Sequence, residues 1–288
     1  MELKIVGKTW RCYEMEIYVD TAELGQIKEA FSWGFVDGVT TNPSLIKKAV
    51  DKLKNEGRQV DMQSYITELI NVVASNNGKH VSLEVIGVNE ESMIREAEKL
   101  VTLFNSPLVV VKVPVNPGLQ PGQADFDGLK VIRKLSSKGI KTNATLIMSP
   151  EQAFLCAKAG ATYVSPFMGR IDDLLSGNAA KCCGCKHKEK DKGVVSGNDL
   201  VEQIVKIFKV QGLNCKVLAA SIRDMSHVRC ALISGAHVST IPFGILTEMV
   251  SHVKTFEGMG KFVADVVPEY GGLFEQKSVN EFNQPKPF

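Results

Sequence analysis

Short apolar runs alternate with amphipathic segments along most of the chain. The runs are rich in β-branched side chains, which is typical of strands buried on both faces of a parallel sheet. The segments between them repeat apolar residues at helical spacing, as Leu24, Ile27 and Phe31 do after the first run. The pattern predicts strands at residues 16–20, 37–41, 81–86, 108–115, 140–147, 161–167, 215–221 and 237–243.

Helix starts can be recognised between these strands. Asn42-Pro43 and Ser149-Pro150 each place a capping residue before a proline at the first helical position. Segments 89–101 and 223–235 have the same helical periodicity. Eight strand–helix units predict an α/β fold, a single (β/α)₈ TIM barrel. A doubly wound open sheet is the alternative, disfavoured because no glycine-rich phosphate loop follows the first strand.

Two segments depart from the repeat. Residues 176–197 are small, polar and lysine-rich, and we expect an exposed insertion between strands six and seven. Residues 266–288 are weakly periodic and are expected to form a C-terminal tail. The predicted organisation is therefore one barrel domain over residues 1–265, followed by the tail.

Composition excludes several classes of protein. The net charge is +2, and its 34 basic and 32 acidic side chains are spread along the chain, which argues against a nucleic-acid surface. No apolar run reaches the ~18 residues of a membrane-spanning helix. The N-terminal MELKIVGKTWRCYEM lacks the apolar core of a secretory signal. Seven mostly isolated cysteines fit free thiols in a reducing cytoplasm.

One lysine interrupts the most apolar of the predicted strands. Lys112 lies within LVVVKVPV, residues 108–115. A desolvated lysine has a lowered pKa and becomes a nucleophilic amine that can form a Schiff base with a carbonyl. The alternative is an ordinary lysine whose stem is buried and whose ammonium reaches solvent.

Polar residues recur at the carboxyl ends of the predicted strands, where TIM barrels place their chemistry. Two acids near one lysine suit a Schiff-base site, because a carboxylic acid can shuttle the protons. Two arginines suit an anionic group such as a phosphate. The strand-end residues are Asp20, Thr41, Asn42, Glu84, Lys112, Asn143, Thr145, Ser165 and Ser221, with Arg170 and Arg223 just beyond.

Each of these residues also has a purely structural interpretation. Asp20 with Thr21, and Asn42 before its proline, are good helix caps. Glu84 and Lys112 can form one structural ion pair. Arg170 can pair with Asp172 and Asp173 at the surface. Side chains small enough simply to fill a barrel are Thr145, Ser165 and Ser221. None of these roles explains why polar residues recur at one end of so many strands.

Seven motifs, in this order, resemble those of the small transaldolase and fructose-6-phosphate aldolase family. They are VDTAELGQIKEA, DGVTTNPSLI, VVVKVPV, GIKTNATLIMSPEQA, AGATYVSPFMGRIDD, VLAASIRDMSHV and GAHVSTIPF. The similarity runs from about Glu16 to about Asp265. It implies a class I aldolase-type barrel that uses no metal or cofactor, acts on sugar phosphates in the pentose phosphate pathway, and forms homo-oligomers through swapped C-terminal helices.

The resemblance also implies residue roles, motif by motif. Lys112 would form the Schiff base, and Asp20 would be the acid or base at the substrate's hydroxyls. Glu84 would relay protons with Thr145 through a water molecule. Asn42 and Asn143 would hold the dihydroxyacetone unit, with Ser165 in support, and Phe167 would line the substrate pocket beside the lysine. Binding of the phosphate falls to Ser221, Arg170 and Arg223.

Two positions separate the subfamilies that this chain resembles. Members that release free dihydroxyacetone carry glutamine at the position of Glu84 and tyrosine at that of Phe167. We therefore expect a transaldolase, which keeps the three-carbon adduct until an aldehyde arrives. A fructose-6-phosphate aldolase and a non-catalytic sugar-phosphate sensor are the alternatives. Extra length at 116–128 also leaves open a sugar with another anion, such as a sulfonate.

A cluster within the insertion raises the question of zinc. Cys182, Cys183, Cys185 and His187 lie close together in the sequence. Their spacing is not the usual paired C-x₂-C, and one cluster on a flexible loop offers poor tetrahedral geometry. We expect an exposed loop without metal.

Overall fold

The computed structural model describes residues 2–5, 8–11, 14–120, 122–176 and 193–274. The chain divides into two compact units, Met1–Leu246 and Thr247–Phe288. The cysteine cluster predicted to be metal-free lies outside the described residues, as do most of the 176–197 insertion and the last part of the predicted tail.

Eight parallel strands close into a barrel, which confirms the predicted (β/α)₈ fold. Around the barrel the order is β10-β3-β4-β5-β6-β7-β8-β9. An antiparallel hairpin, β1 (Glu2–Ile5) with β2 (Lys8–Arg11), precedes the barrel and was not predicted. The barrel strands are β3 (Glu16–Asp20), β4 (Gly38–Thr40), β5 (His80–Glu84), β6 (Val109–Pro114), β7 (Thr142–Ile147), β8 (Tyr163–Pro166), β9 (Lys216–Ala219) and β10 (Val238–Ile241).

Helices cover the outside of the barrel, and two starts are as predicted. The Asn42 side chain caps α2 and the Ser149 side chain caps α6, each followed by proline. In the first unit the helices are α1 (Leu24–Ser32), α2 (Pro43–Asn55), α3 (Met62–Ser75), α4 (Glu90–Phe104), α5 (Asp127–Ser137), α6 (Pro150–Ala159), α7 (Met168–Leu175), α8 (Gly197–Val210) and α9 (Met225–Ser234). Helix α10 (Phe243–Glu248) spans the division, and α11 (Val253–Ala264) and α12 (Pro268–Gly271) follow.

Two connections of the first unit hold one helix more than predicted, since one helical segment was expected after each strand. Between β8 and β9 both α7 and α8 are present. Between β4 and β5, helix α3 follows α2. Its start is capped by Asp61, and it buries Tyr65, Ile66, Leu69 and Val73 on one face.

Strand register brings the polar residues to a common level. Glu84 lies opposite Lys112, and Lys112 lies opposite Asn143 on the next strand. Asp20 lies opposite Thr40. Because neighbouring parallel strands run in the same direction, these side chains gather at one end of the barrel.

Membrane spans and metal sites were both searched for within the described ranges. There, no helix is long and apolar enough to cross a membrane. The same part of the chain contains no group of three or more histidine, cysteine and acidic residues that could hold a metal ion.

Candidate active site

Lys112 lies in the middle of the barrel wall and is almost completely buried. The residue is only 5% exposed, which disfavours the alternative of a buried stem with its head in bulk solvent. Its Nζ lies 3.1 Å from Glu84 Oε2 and donates a hydrogen bond of 3.3 Å to the Thr41 carbonyl oxygen. A buried ammonium needs such partners, because desolvating an unpaired charge is very costly.

Glu84 therefore does form the ion pair considered as a structural alternative. Its side chain is 15% exposed, slightly more open than that of Lys112. A carboxylate 3.1 Å from an amine is also within the distance at which it can exchange a proton with it. The pair is thus compatible with a structural role and with general acid–base chemistry.

Asp20 faces the barrel and does not cap a helix. Its Oδ1 accepts a hydrogen bond of 2.8 Å from Thr40 Oγ1, whereas α1 begins after Glu23 without a side-chain cap. Burial raises the pKa of Asp20 above its ordinary value, and nearby Glu84 raises it further. Lys112 and the Thr40 hydroxyl act in the opposite direction. A carboxyl group with a raised pKa can exist as the protonated acid nearer neutral pH.

A buried chain of hydrogen bonds runs beneath the lysine. Ser165 Oγ donates to Asn143 Oδ1 over 2.7 Å, and Asn143 Nδ2 donates to Ser82 Oγ over 3.1 Å. Ser82 in turn contacts Nε2 of His80. Burial lowers the pKa of His80 to about 3, so this histidine is neutral at physiological pH. The chain fixes which way the Asn143 amide faces.

Asn42 and Thr145 differ in how their polar atoms are satisfied. Asn42 Oδ1 accepts a hydrogen bond of 3.0 Å from the Leu45 N–H, so its capping interpretation is correct. Thr145 lies opposite Pro114, two residues beyond Lys112. Its buried Oγ1 has no hydrogen-bond partner in the described part of the chain. Buried hydroxyls are normally hydrogen-bonded, often to an ordered water.

The cationic side of the site is formed after β8 and β9. Arg170, on α7, stacks over Phe167, with its guanidinium carbon 5.3 Å from the ring centroid. Lys112 Nζ lies 5.9 Å from the same centroid. Ser221 adopts a positive φ of 58°, which is uncommon for a residue with a side chain and occurs where the chain turns out of β9.

The two neighbouring acids on α7 do not have the partner considered from the sequence. Asp173 Oδ2 lies 2.9 Å from Nη2 of Arg223. Asp172 Oδ2 lies 2.7 Å from Nε2 of His227. Both contacts join α7 to the segment after β9, although the residues are far apart in the sequence.

One cavity of about 220 Å³ at the mouth of the barrel brings most of the predicted site together. Glu84 and Thr145 do not line it, although Glu84 contacts Lys112 from the neighbouring strand. The predicted residues that do line the cavity are Asp20, Asn42, Lys112, Asn143, Ser165, Phe167, Arg170, Ser221 and Arg223.

The cavity also contains residues that the sequence reasoning missed. Thr40 and Thr240 both line it, and their hydroxyls contact each other next to Asp20. A signal was present in the sequence, because each threonine sits near the carboxyl end of a predicted buried strand. Threonine is itself favoured in strands, so its presence there does not by itself indicate a functional role.

The Thr40 hydroxyl provides a test of the environment of Asp20. We expect Thr40→Val to raise the pKa of Asp20 further, because the hydrogen bond that favours the carboxylate is removed. The measurement is a titration of the side-chain carboxyl carbons by ¹³C NMR. Thr142→Val is the matched control, since Thr142 is a buried barrel threonine whose hydroxyl has no partner within the described ranges. An unchanged or lower Asp20 pKa in Thr40→Val would contradict this account of the site.

Comparison with known proteins places this geometry in a family. The profile of the family Transaldolase/Fructose-6-phosphate aldolase matches residues 17–284. A relative from Prosthecochloris aestuarii, named "Probable transaldolase", is 42% identical over 251 residues, covering 87% of this chain and 97% of the relative. Relatives from Alkaliphilus metalliredigens ("Probable transaldolase") and Bacillus anthracis ("Probable transaldolase 1") are 38% and 40% identical with the same coverage. The resemblance carried by the seven motifs is confirmed, and the chain belongs to the transaldolase and fructose-6-phosphate aldolase family.

Proposed function

We propose that the protein is a transaldolase that moves a dihydroxyacetone unit between sugar phosphates through a Schiff base on Lys112. The donor is a ketose phosphate such as fructose 6-phosphate or sedoheptulose 7-phosphate. The acceptor is an aldose phosphate such as erythrose 4-phosphate or glyceraldehyde 3-phosphate. The observation that carries this proposal is the buried Lys112 amine, 3.1 Å from Glu84 and at the wall of a cavity that Asp20 also lines.

The first half of the reaction uses the lysine and its carboxylate neighbour. The amine attacks the ketose carbonyl carbon, and the resulting carbinolamine loses its oxygen as water to give an iminium. Glu84 is the proton relay in this step, together with Thr145 through a water molecule. The buried and unpartnered Thr145 hydroxyl supports this role, because it offers a hydrogen bond that such a water can take.

The second half breaks and re-forms a carbon–carbon bond. Asp20 takes the proton of the hydroxyl next to the bond that breaks, and the bonding electrons move into the iminium to give an enamine. The shortened aldose phosphate leaves, and the enamine then attacks the aldehyde carbon of the acceptor. The new alkoxide takes the proton back from Asp20, and water hydrolyses the resulting iminium, which releases the product ketose and frees the Lys112 amine. Asn42, Asn143 and Ser165 hold the hydroxyls of the three-carbon unit during the exchange. The fixed Asn143 amide supports that assignment.

The arginine side of the cavity is proposed to bind the phosphate. Arg170, Arg223 and Ser221 come from the two segments that follow β8 and β9, and all three line the same cavity. Guanidinium groups recognise phosphates by charge-assisted and often bidentate hydrogen bonds. Asp20 and Lys112 line the same cavity, so we propose that a sugar phosphate is bound at its anion by the arginines while its carbonyl faces the amine.

A second cavity adjoins the first and is proposed to receive the acceptor. It has a volume of about 500 Å³ and shares Arg170 with the lysine cavity. Its walls include Asn116, Gln123 and Gln152, whose amides suit a polyhydroxylated chain. The loop that lines this cavity belongs to the extra length at 116–128, so we propose that this loop sets the range of acceptors, including sugars with another anion.

The proposed setting is the pentose phosphate pathway in the cytoplasm, which follows from the substrates and from the isolated cysteines.

The Schiff base can be tested by trapping. Borohydride reduction in the presence of fructose 6-phosphate should add one covalent adduct to Lys112, and Lys112→Met should abolish both adduct and turnover, because among the described residues Lys112 is the lysine that pairs with Glu84 and lines the cavity with Asp20. Peptide mass analysis locates the adduct. Lys216→Met is the control, since Lys216 pairs with Glu16 at the opposite end of the barrel. An adduct on another lysine would contradict the proposed mechanism.

An assay of glyceraldehyde 3-phosphate formation separates the alternative functions. Glyceraldehyde 3-phosphate formed from fructose 6-phosphate only when erythrose 4-phosphate is present supports a transaldolase. Formation without the acceptor supports the aldolase, and no formation supports the sensor. Repeating the assay with a sulfonated sugar tests the choice of anion.

Phe167 is the residue proposed to favour transfer over release. Its ring centroid lies 5.9 Å from Lys112 Nζ and 5.3 Å from the Arg170 guanidinium carbon, and the ring carries no hydroxyl to orient water. We expect Phe167→Tyr to increase the release of free dihydroxyacetone relative to transfer by roughly tenfold, since a placed hydroxyl can assist hydrolysis of the adduct. Release is measured enzymatically without acceptor. Phe167→Leu is the control, and equal release from both variants would mean that loss of packing, not the hydroxyl, is responsible.

We also propose a homo-oligomer, on the basis of the second unit. Helix α11 leaves large apolar side chains in solvent, with Phe256 81% and Phe262 72% exposed. Such residues normally mark a contact surface. Light scattering should give a mass that is a multiple of 31.5 kDa, and Phe256→Glu with Phe262→Glu should reduce it to one chain. Leu119→Glu, at an exposed apolar residue of the first unit, should leave the mass unchanged. A monomeric wild-type protein would refute this proposal.

A further inference from the structure

Two consecutive acids of α7 contact the same arginine segment at different points. Asp173 holds the guanidinium of Arg223, with 2.9 Å between Oδ2 and Nη2. Asp172 reaches the main chain of Arg223 indirectly, through His227. The arginine is therefore held at its side chain and at its backbone by neighbouring residues of one helix.

The hydrogen bonds around His227 define which of its ring nitrogens carries the proton. The Arg223 N–H donates to His227 Nδ1 over 3.1 Å, so Nδ1 carries no proton. The proton of the neutral ring is then on Nε2, which donates to Asp172 Oδ2 over 2.7 Å. His227 is only 5% exposed, so water does not readily replace either partner.

Asp172 is itself held in place from a second direction. Its Oδ1 accepts a hydrogen bond of 2.7 Å from the N–H of Gly197, the first residue of α8. Both of its carboxylate oxygens are thus engaged by donors. A carboxylate that is fixed in this way orients the imidazole that it contacts.

Helix α7 also lies very close to the segment that follows β9. The N–H of Gly169 donates to the Ser221 carbonyl oxygen and that of Met168 to the Ala220 carbonyl oxygen, both over 3.0 Å. A Cβ at Gly169 would come within 2.5 Å of Arg223 Cγ. The glycine therefore permits the approach that lets α7 reach both ends of Arg223.

We propose that Asp172 and His227 form a positioning pair for the anion site. The pair orients the main chain at Arg223, and with it the guanidinium that lines the cavity, without touching the substrate. This inference rests on the proposed function for the identity of the anion, a sugar phosphate, and it assigns to the pair a role in phosphate affinity alone. The lysine chemistry lies on other strands and is independent of it.

Two substitutions remove the pair in different ways. His227→Phe keeps a ring but removes the acceptor of the Arg223 N–H. Asp172→Asn keeps the shape of the carboxylate but has only one oxygen that can accept a hydrogen bond. Its NH₂ group must therefore face one of the two N–H donors that the carboxylate accepts from, either at His227 Nε2 or at the Gly197 N–H. If the amide donates to Nε2, the imidazole proton moves to Nδ1 and repels the Arg223 N–H. Asp172→Asn therefore tests the same role with almost no change in packing.

His237→Phe is the matched control. The Nδ1 of His237 accepts the Val217 N–H over 3.1 Å, the same kind of bond that His227 makes to Arg223. His237 precedes β10, at the end of the barrel opposite the cavity. The control removes an equivalent backbone acceptor without affecting the anion site.

Two readouts separate positioning from a general loss of structure. Binding of inorganic phosphate is measured by calorimetry, and the Lys112 site is measured by borohydride trapping with dihydroxyacetone, which carries no charge. We expect both variants of the pair to weaken phosphate binding, and to raise the KM for fructose 6-phosphate, by roughly 10- to 100-fold, the equivalent of one hydrogen bond to a charged group. Trapping with dihydroxyacetone and kcat should change less than about threefold, the usual scatter of such contributions.

The outcomes are distinguishable from failure of the proposed function. Unchanged phosphate binding in either variant, or an equal loss of phosphate binding in His237→Phe, would overturn the positioning role. A parallel loss of trapping with dihydroxyacetone would overturn it as well. If wild-type protein traps no sugar at all, the transaldolase proposal fails, while phosphate binding still decides the role of Asp172 and His227.

Discussion

The site depends on one buried ion pair that the barrel register enforces. Lys112 and Glu84 lie opposite each other on β6 and β5, and their side chains meet at 3.1 Å with little exposure to solvent. Two charges in such a place are costly to desolvate, and their attraction compensates only when the geometry is held tightly. Hydrogen bonding between neighbouring strands holds it here, and the Thr41 carbonyl oxygen accepts a further hydrogen bond from the ammonium. The Lys112 side chain is thereby kept in a polar but largely buried environment.

Polar groups at the two ends of the barrel have different consequences. At the amino-terminal end, Glu16 lies 2.9 Å from Lys216 Nζ and accepts a hydrogen bond of 2.6 Å from the Tyr18 hydroxyl. At the carboxyl end, Asp20 has a raised pKa, the Thr145 hydroxyl has no partner among the described residues, and two arginines line an open cavity. Unpartnered buried atoms also occur at the starts of strands, as His80 Nδ1 and Thr142 Oγ1 show among the described residues, so it is their combination with a charged cavity that marks the carboxyl end as the candidate site.

Much of this was predictable from single residues and their neighbours in the sequence. Strand positions follow from β-branched apolar runs, and the caps at Asn42 and Ser149 follow from a local Asx- or Ser-Pro signal. Helix α3 carried its own signals, a capping Asp61 and a helical apolar face, and was missed because one helix per connection was expected. Thr40 and Thr240 were missed because threonine is ordinary in a strand.

The sequence by itself determined which residues stand at strand ends, and therefore that an amine, carboxyl groups, amides and arginines share one end of a barrel. Only the tertiary structure decided which of these side chains contact each other. Asp172 and Asp173 contact His227 and Arg223 because α7 packs on the segment after β9, a contact between residues about fifty apart. Periodicity reports the face of an element and carries no information about its distant partners. Strand pairing, barrel closure and the burial of Lys112 arise from long-range packing, which becomes visible only in the folded chain.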